Sequence, residues 1–331
     1  MKDEIYDFTV QELDTKKYDL AKYILQFSSE IQEPIPILKQ DDKLVISRGN
    51  ISVIAGAPKS KKSMFVSALV ASFYGSEAFG FTSYIKGGKC LLFDTESAES
   101  HTLKQIKRIY SLLGWTKQEH NLTVFYLRGL ETEIQTGIIK QAIKDYRPDW
   151  VVIDGLLDLV NSANDETESK TLILELMKLT VDYDCHITSI LHTGKSNNGQ
   201  MLGFLGSFAQ RKSETVFQLT VDGKETKVIP AETRNAPFEE FSFIINEFGI
   251  PVYCGLVERK TKQEMNDYNM KLFFTKLLAP AEILDYDKLA HEYSELAGCS
   301  ERTSKSHISK MRKINFIRKV DSGGYCLTGI D

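Results

Sequence analysis

A short loop near residue 60, GAPKSKKS at positions 56–63, contains a lysine and a serine side by side, Lys62 and Ser63. An apolar stretch, residues 51–55, precedes the loop, and a stretch with helical character, MFVSALVASFYG, follows it. A strand, a tight loop and a helix N-terminus in this order form a phosphate-binding loop, in which the lysine reaches the phosphates and the serine hydroxyl ligates Mg²⁺. We therefore predict that ATP and Mg²⁺ bind here. The predicted nucleotide-binding residues are Gly56, Ala57, Pro58, Lys59, Ser60, Lys61, Lys62 and Ser63.

One position of this loop departs from the usual pattern, GxxxxGK[ST]. Lys61 stands where the pattern has its second glycine. A side chain there either crowds the loop or points outward and adds positive charge. The alternative interpretation is a basic turn between a strand and a helix that binds no ligand.

Three later apolar segments each end in a side chain that could act on a phosphate. Residues 90–93 lead to Asp94 and Glu96, and a carboxylate at such a strand end can act as a general base toward water. The segment 150–153 leads to Asp154, the Walker B pattern, whose spacing from the loop strengthens the assignment. The strand-like segment that begins at residue 187 ends at His192. We predict Ser63 and Asp154 as the residues of the metal site.

These side chains need a sheet that brings the strand ends together. Apolar runs alternate with amphipathic stretches from residue 51 to residue 191, which predicts a parallel sheet covered on both faces. The predicted strands are 51–55, 90–93, 122–127, 150–153 and 186–191, and the predicted helices are 63–74, 100–113, 134–146 and 169–183. Further strands at 215–219, 226–229, 241–245 and 252–255 are expected to extend the sheet as antiparallel hairpins.

The end of the chain, residues 268–331, is predicted to form a separate small domain. Helices at 270–278, 285–296 and 300–314 precede a hairpin at 316–320 and 325–328, which is the order of a winged helix. From Glu301 to Val320 there are seven lysines and arginines and one acid. Since the third helix of a winged helix enters the major groove, we predict DNA contacts. The predicted contacts come from Arg302, Lys305, Lys310, Arg312, Lys313 and Arg318. The alternative is a winged helix that binds protein, or a solvated basic helix.

Taken in order, the segments GAPKSKKS, LLFDTE, VVIDG, LHTGK, LGSFAQRKSETVFQL and ETRNAP resemble those of the RecA-like hexameric ATPases. Within that group the sequence is similar to plasmid replicative helicases of the RepA type and to related mobile-element ATPases, from about residue 30 to about residue 255. The resemblance implies an α/β fold: a RecA-like, mostly parallel twisted sheet with helices on both faces, followed by the small winged-helix domain. It also implies a homo-oligomer, a hexameric ring, with ATP between neighbouring subunits.

The same resemblance assigns roles to single residues. Glu96 would polarise the attacking water, with Asp94 as the alternative, and His192 would sense the γ-phosphate. A basic residue of the neighbouring subunit would reach the γ-phosphate in trans. Arg234 matches this position best and Arg211 second. The family often has a lysine two residues before that arginine, where this chain has Glu232.

Composition bounds the remaining classes. The chain is 42% hydrophobic and 26% charged with a net charge of −4, which gives no general signal for nucleic acid or a membrane. Its five cysteines are scattered and never in CxxC spacing, so neither a disulfide framework nor a zinc site is indicated. No segment approaches the ~18 apolar residues of a membrane span, and we expect a cytoplasmic protein without a membrane partner. The predicted divisions are a lead-in (1–48), an ATPase domain (49–257), a linker (258–267) and the winged-helix domain (268–331).

Three functions follow from these patterns. The leading hypothesis is a DNA-dependent ATPase, a helicase-like motor or switch in the replication or mobilisation of a plasmid or transposable element. The second is a regulator that binds DNA under the control of ATP without hydrolysing it, which Lys61 and Glu232 favour. The third, a RecA-like kinase or clock-type ATPase that acts on protein, is disfavoured by the basic C-terminal helix.

Overall fold

The structure is a computed structural model of the 331-residue chain. It describes residues 33–75, 78–117, 121–194, 201–257, 270–271, 273–278, 283–321 and 323–328, together with 24, 25, 27, 30 and 31. The chain divides into two compact units, Met1–Leu256 and Val257–Asp331. The predicted linker and most of the predicted lead-in lie outside the described residues, so the domain boundaries stay a prediction.

The first unit alternates strands and helices through its middle part. Its elements in chain order are β1 (Pro36–Gln40), β2 (Lys43–Ser47), β3 (Ile51–Gly56), α1 (Lys62–Phe73), β4 (Phe81–Ser83), β5 (Cys90–Asp94), α2 (Glu99–Leu113), β6 (Leu122–Tyr126), α3 (Thr132–Tyr146), β7 (Trp150–Asp154), α4 (Glu166–Tyr183), β8 (His186–His192), α5 (Gly203–Lys212), β9 (Thr215–Asp222), β10 (Glu225–Thr233), β11 (Phe241–Ile245) and β12 (Pro251–Leu256).

Nine strands form the main sheet, in the order β12-β11-β10-β9-β3-β8-β7-β5-β6. The six strands from β9 to β6 are parallel, and β10 to β12 continue the sheet antiparallel. The predicted α/β class with a mostly parallel sheet and an antiparallel extension is therefore confirmed for this unit.

Register brings the functional strand ends to one edge of the sheet. Gly56 at the end of β3 pairs with His192 at the end of β8, and Asp94 at the end of β5 pairs with Asp154 at the end of β7. Because β8 also pairs with β7, all four ends lie along the carboxyl edge of one continuous sheet. Ligands of open α/β sheets bind at this edge.

Both faces of the parallel sheet are covered by helices. Residues of one face, such as Leu92 and Val152, pack in a core with α1 and α2. Residues of the opposite face, such as Leu91 and Val151, pack with α3, α4 and α5. Burial on both faces explains why these strands have continuous apolar runs rather than alternating ones.

Four elements of this unit were not predicted: β1, β2, β4 and α5. The strands β1, β2 and β4 form a second, three-stranded sheet. Ile37, Leu38, Val45 and Ile46 of this sheet are fully buried in the core that contains α1. Strands from the predicted lead-in therefore belong to the first compact unit, and the prolines near residue 35 indicated only that the chain there is extended.

A chain of buried hydrogen bonds crosses the amino-terminal half of the sheet. Trp150 Nε1 donates to Thr188 Oγ1, which lies 2.8 Å from Ser52 Oγ, and Ser52 Oγ lies 2.8 Å from His186 Nε2. His186 Nδ1 donates to the Ser47 carbonyl at 2.7 Å. Since a carbonyl only accepts, the His186 proton is on Nδ1, and Nε2 accepts from Ser52. Burial lowers the pKa of His186 to about 4, so this imidazole is neutral at pH 7.

The second unit consists of helices followed by a hairpin. Residues 270–271 and 273–277 are helical (α6), and they precede α7 (Tyr286–Ala297), α8 (Glu301–Lys313), β13 (Ile317–Lys319) and β14 (Tyr325–Leu327). Leu284, just before α7, forms an isolated antiparallel bridge with Tyr325 of β14. The unit has its own apolar core, which includes Met270, Phe274, Leu289, Tyr293, Ile308 and Met311.

The neutral, buried His186 makes the free energy of unfolding depend on pH. Its pKa is about 4 in the folded protein and 6.5 ordinarily, so the unfolded chain binds more protons between these values and stability falls as the pH is lowered from 6.5 towards 4. By pH 4.5 this loss amounts to about 2 kcal/mol. We expect the free energy of unfolding, measured with urea, to fall less between pH 7 and pH 4.5 in His186→Gln than in the wild type. His101→Gln, on the exposed face of α2, is the control; an unchanged pH dependence in His186→Gln would contradict the assignment.

Candidate functional site

The loop of residues 56–63 connects β3 to α1, as its sequence predicts. A Cβ on Gly56 would lie 2.4 Å from Ser60 Oγ, so the two residues pack too closely for a side chain at position 56. Ser60 is buried, and its hydroxyl has no hydrogen-bond partner among the described residues. A buried hydroxyl without a partner is costly, and a phosphate oxygen in the loop would satisfy it. With the first-turn N–H groups of α1 at the same place, the loop fits a bound phosphate.

Lys62 lies folded into this loop. Its Nζ donates to the carbonyls of Gly56 (3.0 Å) and Ala57 (3.1 Å) and lies 3.1 Å from His192 Nδ1. Burial lowers the pKa of Lys62, although the carboxylate of Asp154 acts in the opposite direction. None of these three partners carries a negative charge, so an anionic phosphate competes favourably for the ammonium group.

Lys61 has a left-handed backbone, with φ 66° and ψ 29°. This conformation explains why the usual pattern has glycine here, since any other residue costs about 1 kcal/mol or more. The Lys61 side chain points out of the loop, where its Nζ donates to the Lys224 carbonyl at 2.8 Å, in the turn between β9 and β10. The departure from the pattern therefore costs backbone energy but leaves the phosphate space open.

The two residues predicted to hold the metal are in contact. Ser63 Oγ donates to Asp154 Oδ2 at 3.1 Å. Burial, followed by the nearby Asp94 and Glu96, raises the pKa of Asp154 to about 7. A hydroxyl and a carboxylate are oxygen ligands of the type that Mg²⁺ prefers, and a divalent cation would relieve the repulsion among the carboxylates. The donor set therefore fits Mg²⁺.

Glu96 and His192 are also in contact, with Oε1 and Nε2 3.4 Å apart. Because His192 Nδ1 accepts from Lys62, the imidazole proton is on Nε2 and points at the carboxylate. This interaction is the largest cause of the lowered pKa of Glu96, which keeps the carboxylate ionised as a general base requires. Three residues from separate segments thus form one connected chain, Lys62–His192–Glu96.

Asp94, the alternative base, has structural partners instead. It is fully buried and accepts hydrogen bonds from Thr102 Oγ1 (2.6 Å) and from the N–H groups of Glu96 (3.2 Å) and Ser97 (2.8 Å). It therefore holds the turn that carries Glu96. Glu96, whose side chain is 37% exposed, is the carboxylate of the two that water can reach.

Three residues at this edge have structural roles that the sequence did not predict: Thr95, Gly155 and Asp158. Thr95 Oγ1 lies 2.7 Å from Asp158 Oδ2, a contact between residues that are 63 positions apart in the sequence. Gly155 has an extended backbone, φ −129°, yet a Cβ there would lie 2.6 Å from Glu96 Oε1. A glycine directly after the Walker B aspartate, in a segment without a turn signal, was the available hint.

Arg234 lies at the opposite edge of the sheet from the loop of its own chain. The turn that contacts Lys61 lies just before β10, and Arg234 lies just after β10. At ~3.3 Å per residue, the length of β10 therefore separates Arg234 from that turn by roughly 30 Å. Its guanidinium donates to the carbonyls of Ser213 (3.2 Å) and Lys212 (3.1 Å). Arg234 is exposed and does not reach its own phosphate loop.

Local interactions are made both by Arg211, the second candidate for the trans contact, and by Glu232, which stands where the family often has a lysine. Arg211 donates to the Ser207 carbonyl and hydroxyl one turn earlier in α5. Glu232 accepts a hydrogen bond from Gln210. The roles of Arg234 and Arg211 in a neighbouring subunit stay predictions.

The basic residues of the second unit differ in their exposure and in their contacts with other side chains. Arg302 and Lys313 are exposed on one face of α8, together with Ser306 and Ser309. Lys305 is half-buried, lies 3.4 Å from the Asp287 carboxylate and sits over the ring of Tyr286. The other predicted contacts are Lys310, half-buried on α8, Arg312, exposed on α8, and Arg318, exposed on β13.

Comparison with known families assigns the first unit. A family model described as an AAA domain matches residues 18–198, more than half of the chain. The chain belongs to this AAA domain family. The match includes the phosphate loop, Glu96, Asp154 and His192, so the predicted class, a RecA-like P-loop ATPase, is confirmed. It ends before the second unit.

Other comparisons add little to the AAA assignment. Among solved structures, one described as an ATPase domain matches with a TM-score of 0.47 and 16% identity, covering 63% of this chain and 86% of that chain. No curated protein matches the sequence significantly. Among the described residues, no helix is long and apolar enough to cross a membrane.

The left-handed Lys61 leads to a stability prediction. Both Lys61→Gly and Lys61→Ala lose the contact with Lys224, but only glycine relieves the backbone. We expect Lys61→Gly to be more stable than Lys61→Ala by about 1 kcal/mol in urea unfolding, since only alanine keeps the left-handed cost. Equal stability of the two variants would show that position 61 is not held in the left-handed conformation.

Proposed function

We propose that this AAA domain protein is a DNA-dependent ATPase, a ring-forming motor or switch that acts in the replication or mobilisation of a plasmid or transposable element. The main support is the connected site, in which the phosphate loop, the Ser63–Asp154 pair and the Lys62–His192–Glu96 chain lie at one sheet edge. A separate unit with an exposed basic helix supports the DNA partner.

Each residue of the site has a role in this proposal. Ser63 and Asp154 would hold Mg²⁺, which would neutralise the charge that develops on the phosphates. Lys62 moves from the loop carbonyls and His192 to the phosphates. Glu96, kept ionised, accepts a proton from the attacking water. Since His192 touches both Lys62 and Glu96, removal of Lys62 from Nδ1 changes the hydrogen bond to the base, which makes His192 a sensor of the nucleotide.

Arg234 completes the site of a neighbouring subunit in this proposal. Its distance from its own loop leaves only a contact in trans. Its guanidinium donates to two carbonyls near the Glu214 carboxylate, and a γ-phosphate would replace the carbonyls with a direct ion pair. ATP at such an interface would couple the nucleotide state to assembly of the ring. The proposed ring is a hexamer.

The second unit supports the DNA contact as a winged helix. The order α6, α7, α8 and hairpin fits this fold, and the bridge between Leu284 and Tyr325 joins the segment before α7 to the last strand. On the exposed face of α8, the small side chains of Ser306 and Ser309 lie between Arg302 and Lys313. Such a face enters a groove closely while the cations at its ends contact phosphates.

A second candidate function is a regulator that binds DNA under the control of ATP and does not hydrolyse it. The strained Lys61 and the acidic Glu232, which stands where the family often has a lysine, favour this reading. Both candidates use the same nucleotide site. They differ in turnover, which one substitution tests.

Replacing the base tests the ATPase proposal. We expect Glu96→Gln to lower kcat about 100-fold or more, because an amide cannot accept the proton from water, and to leave the affinity for ATP nearly unchanged. Glu99→Gln, an exposed glutamate at the start of α2, is the matched control. Turnover is measured with and without single-stranded DNA, alongside the mass of the assembly with ATP and Mg²⁺. If the wild type shows no turnover while ATP still changes its affinity for DNA, the regulator replaces the ATPase.

The exposed face of α8 leads to a prediction on DNA binding. We expect Arg302→Ala and Lys313→Ala each to weaken binding and to reduce the slope of log affinity against log salt by about 1, as for the loss of one phosphate contact. Lys288→Ala, on α7 and outside the predicted DNA contacts, is the control. Affinity is measured by fluorescence anisotropy over a range of salt concentrations. Wild-type affinity and slope in both variants would place the DNA contact elsewhere.

A further inference from the structure

One buried hydroxyl, that of Thr95, joins the ends of β5 and β7. Its Oγ1 accepts the Gly155 N–H at 2.9 Å and lies 2.7 Å from Asp158 Oδ2. The Thr95 N–H donates to the Asp154 carbonyl at 2.7 Å. The hydroxyl has one proton and three acceptors in reach: Asp158 Oδ2 at 2.7 Å and the carbonyls of Gly155 (3.0 Å) and Asp154 (3.2 Å). The shortest of these contacts, to a charged acceptor, assigns the proton to Asp158. Thr95 is therefore fixed between Glu96, which follows it, and the strand that ends in Asp154.

The Gly155 backbone connects the Thr95 hydroxyl to the carboxylate of the base, Glu96. An added Cβ on Gly155 would lie 2.6 Å from Glu96 Oε1 and 2.9 Å from its carboxyl carbon, so the carboxylate packs directly against the Gly155 backbone. The Gly155 N–H is the group that Thr95 Oγ1 accepts. A shift of that backbone would therefore move the surface on which the Glu96 carboxylate rests.

Asp158 holds the other side of the Thr95 hydroxyl. It lies in a short helical turn, Leu156–Leu159, directly after β7. Burial raises the pKa of Asp158, and the hydrogen bond from Thr95 opposes this rise. The Asp158 carbonyl also accepts from Thr132 Oγ1 at 3.2 Å, at the start of α3. The acceptor for Thr95 is thus held by the fold and does not depend on a bound ligand.

We propose that Thr95 and Asp158 are a positioning pair that sets the distance between the base Glu96 and the metal-site residue Asp154. The proposal rests on the proposed ATPase function, because it assigns no chemical step to either residue. The pair acts through Gly155. A valine at position 95 has nearly the same shape but gives the Gly155 N–H no acceptor and the Asp158 carboxylate no donor.

Steady-state ATPase kinetics of three variants test the pair. We expect Thr95→Val to lower kcat about 10- to 100-fold, the effect of a small misplacement of a catalytic group, while KM for ATP changes less than about threefold. Thr95→Ser, which keeps the hydroxyl, should retain about half of kcat or more. Thr226→Val is the matched control: Thr226 is equally buried, but its hydroxyl has no partner in the described part of the chain. A kcat for Thr95→Val within about twofold of the wild type, or an equal fall in Thr95→Ser, overturns the proposal.

Asp158 provides a second route if Thr95→Val does not fold. Its side chain is only half-buried, so its replacement creates no large cavity. We expect Asp158→Ala to lower kcat as Thr95→Val does, and Asp158→Asn, whose amide oxygen still accepts the hydroxyl, to lower it less. Equal activity of Asp158→Ala and the wild type overturns the proposal.

A readout without turnover separates this proposal from the proposed function. Because Glu96 contacts His192, displacement of the carboxylate should shift the His192 imidazole signals in a ¹H–¹³C spectrum of the nucleotide-free protein. The His192 signals are assigned by their loss in His192→Asn. If the wild type has no ATPase activity, the ATPase proposal fails, and the spectrum alone decides the positioning pair. Shifted signals in Thr95→Val with unshifted signals in Thr95→Ser and Thr226→Val support it; unshifted signals in Thr95→Val overturn it.

Discussion

The parallel register of β3, β8, β7 and β5 is the constraint on which the site depends. The pairs Gly56–His192 and Asp94–Asp154 lie at matching positions along their strands. A slip of one residue would move a strand end by ~3.3 Å and turn its side chain to the other face of the sheet. The contacts of the site are about 3 Å long, for example Ser63 to Asp154 at 3.1 Å. The apolar cores on both faces therefore fix the register that catalysis would need.

Buried polar groups add specificity to that register at the other half of the sheet. In the chain from Trp150 through Thr188 and Ser52 to His186, each hydroxyl both donates and accepts. These residues lie on three neighbouring strands, so a slip of any one strand would leave buried donors or acceptors unpaired. Apolar packing tolerates small shifts better than such a network does, because unpaired buried groups are costly. The network thus selects one register among those that bury similar apolar area.

The sequence predicts the parallel core well because its signals are local. The runs before Gly56, Asp94, Asp154 and His192 are apolar and short, and each ends in a polar residue or glycine. The strands β1 (PILKQ) and β2 (KLVIS) are as long as β5 and β7, but they mix apolar with polar residues, and the burial of β1, β2 and β4 comes from contacts with distant segments. The partners of Lys61 and Thr95 were missed for the same reason: Lys224 lies 163 residues from Lys61, and Asp158 lies 63 residues from Thr95. A side chain's direction depends on such partners, and a local pattern does not contain them.

The charges of the site link its two halves. Burial lowers the pKa of Lys62 and raises that of Asp154, so the fold disfavours the charged form of both groups. A phosphate beside Lys62 would stabilise the ammonium, and a divalent cation beside Asp154 would stabilise the carboxylate. Either ligand alone would bring net charge into a poorly solvated place, whereas the two together neutralise each other. The buried position of both residues therefore favours joint binding of nucleotide and metal. Lys62 also contacts His192, and His192 contacts Glu96. Joint binding of nucleotide and metal would therefore affect the proposed base through a chain of side-chain contacts.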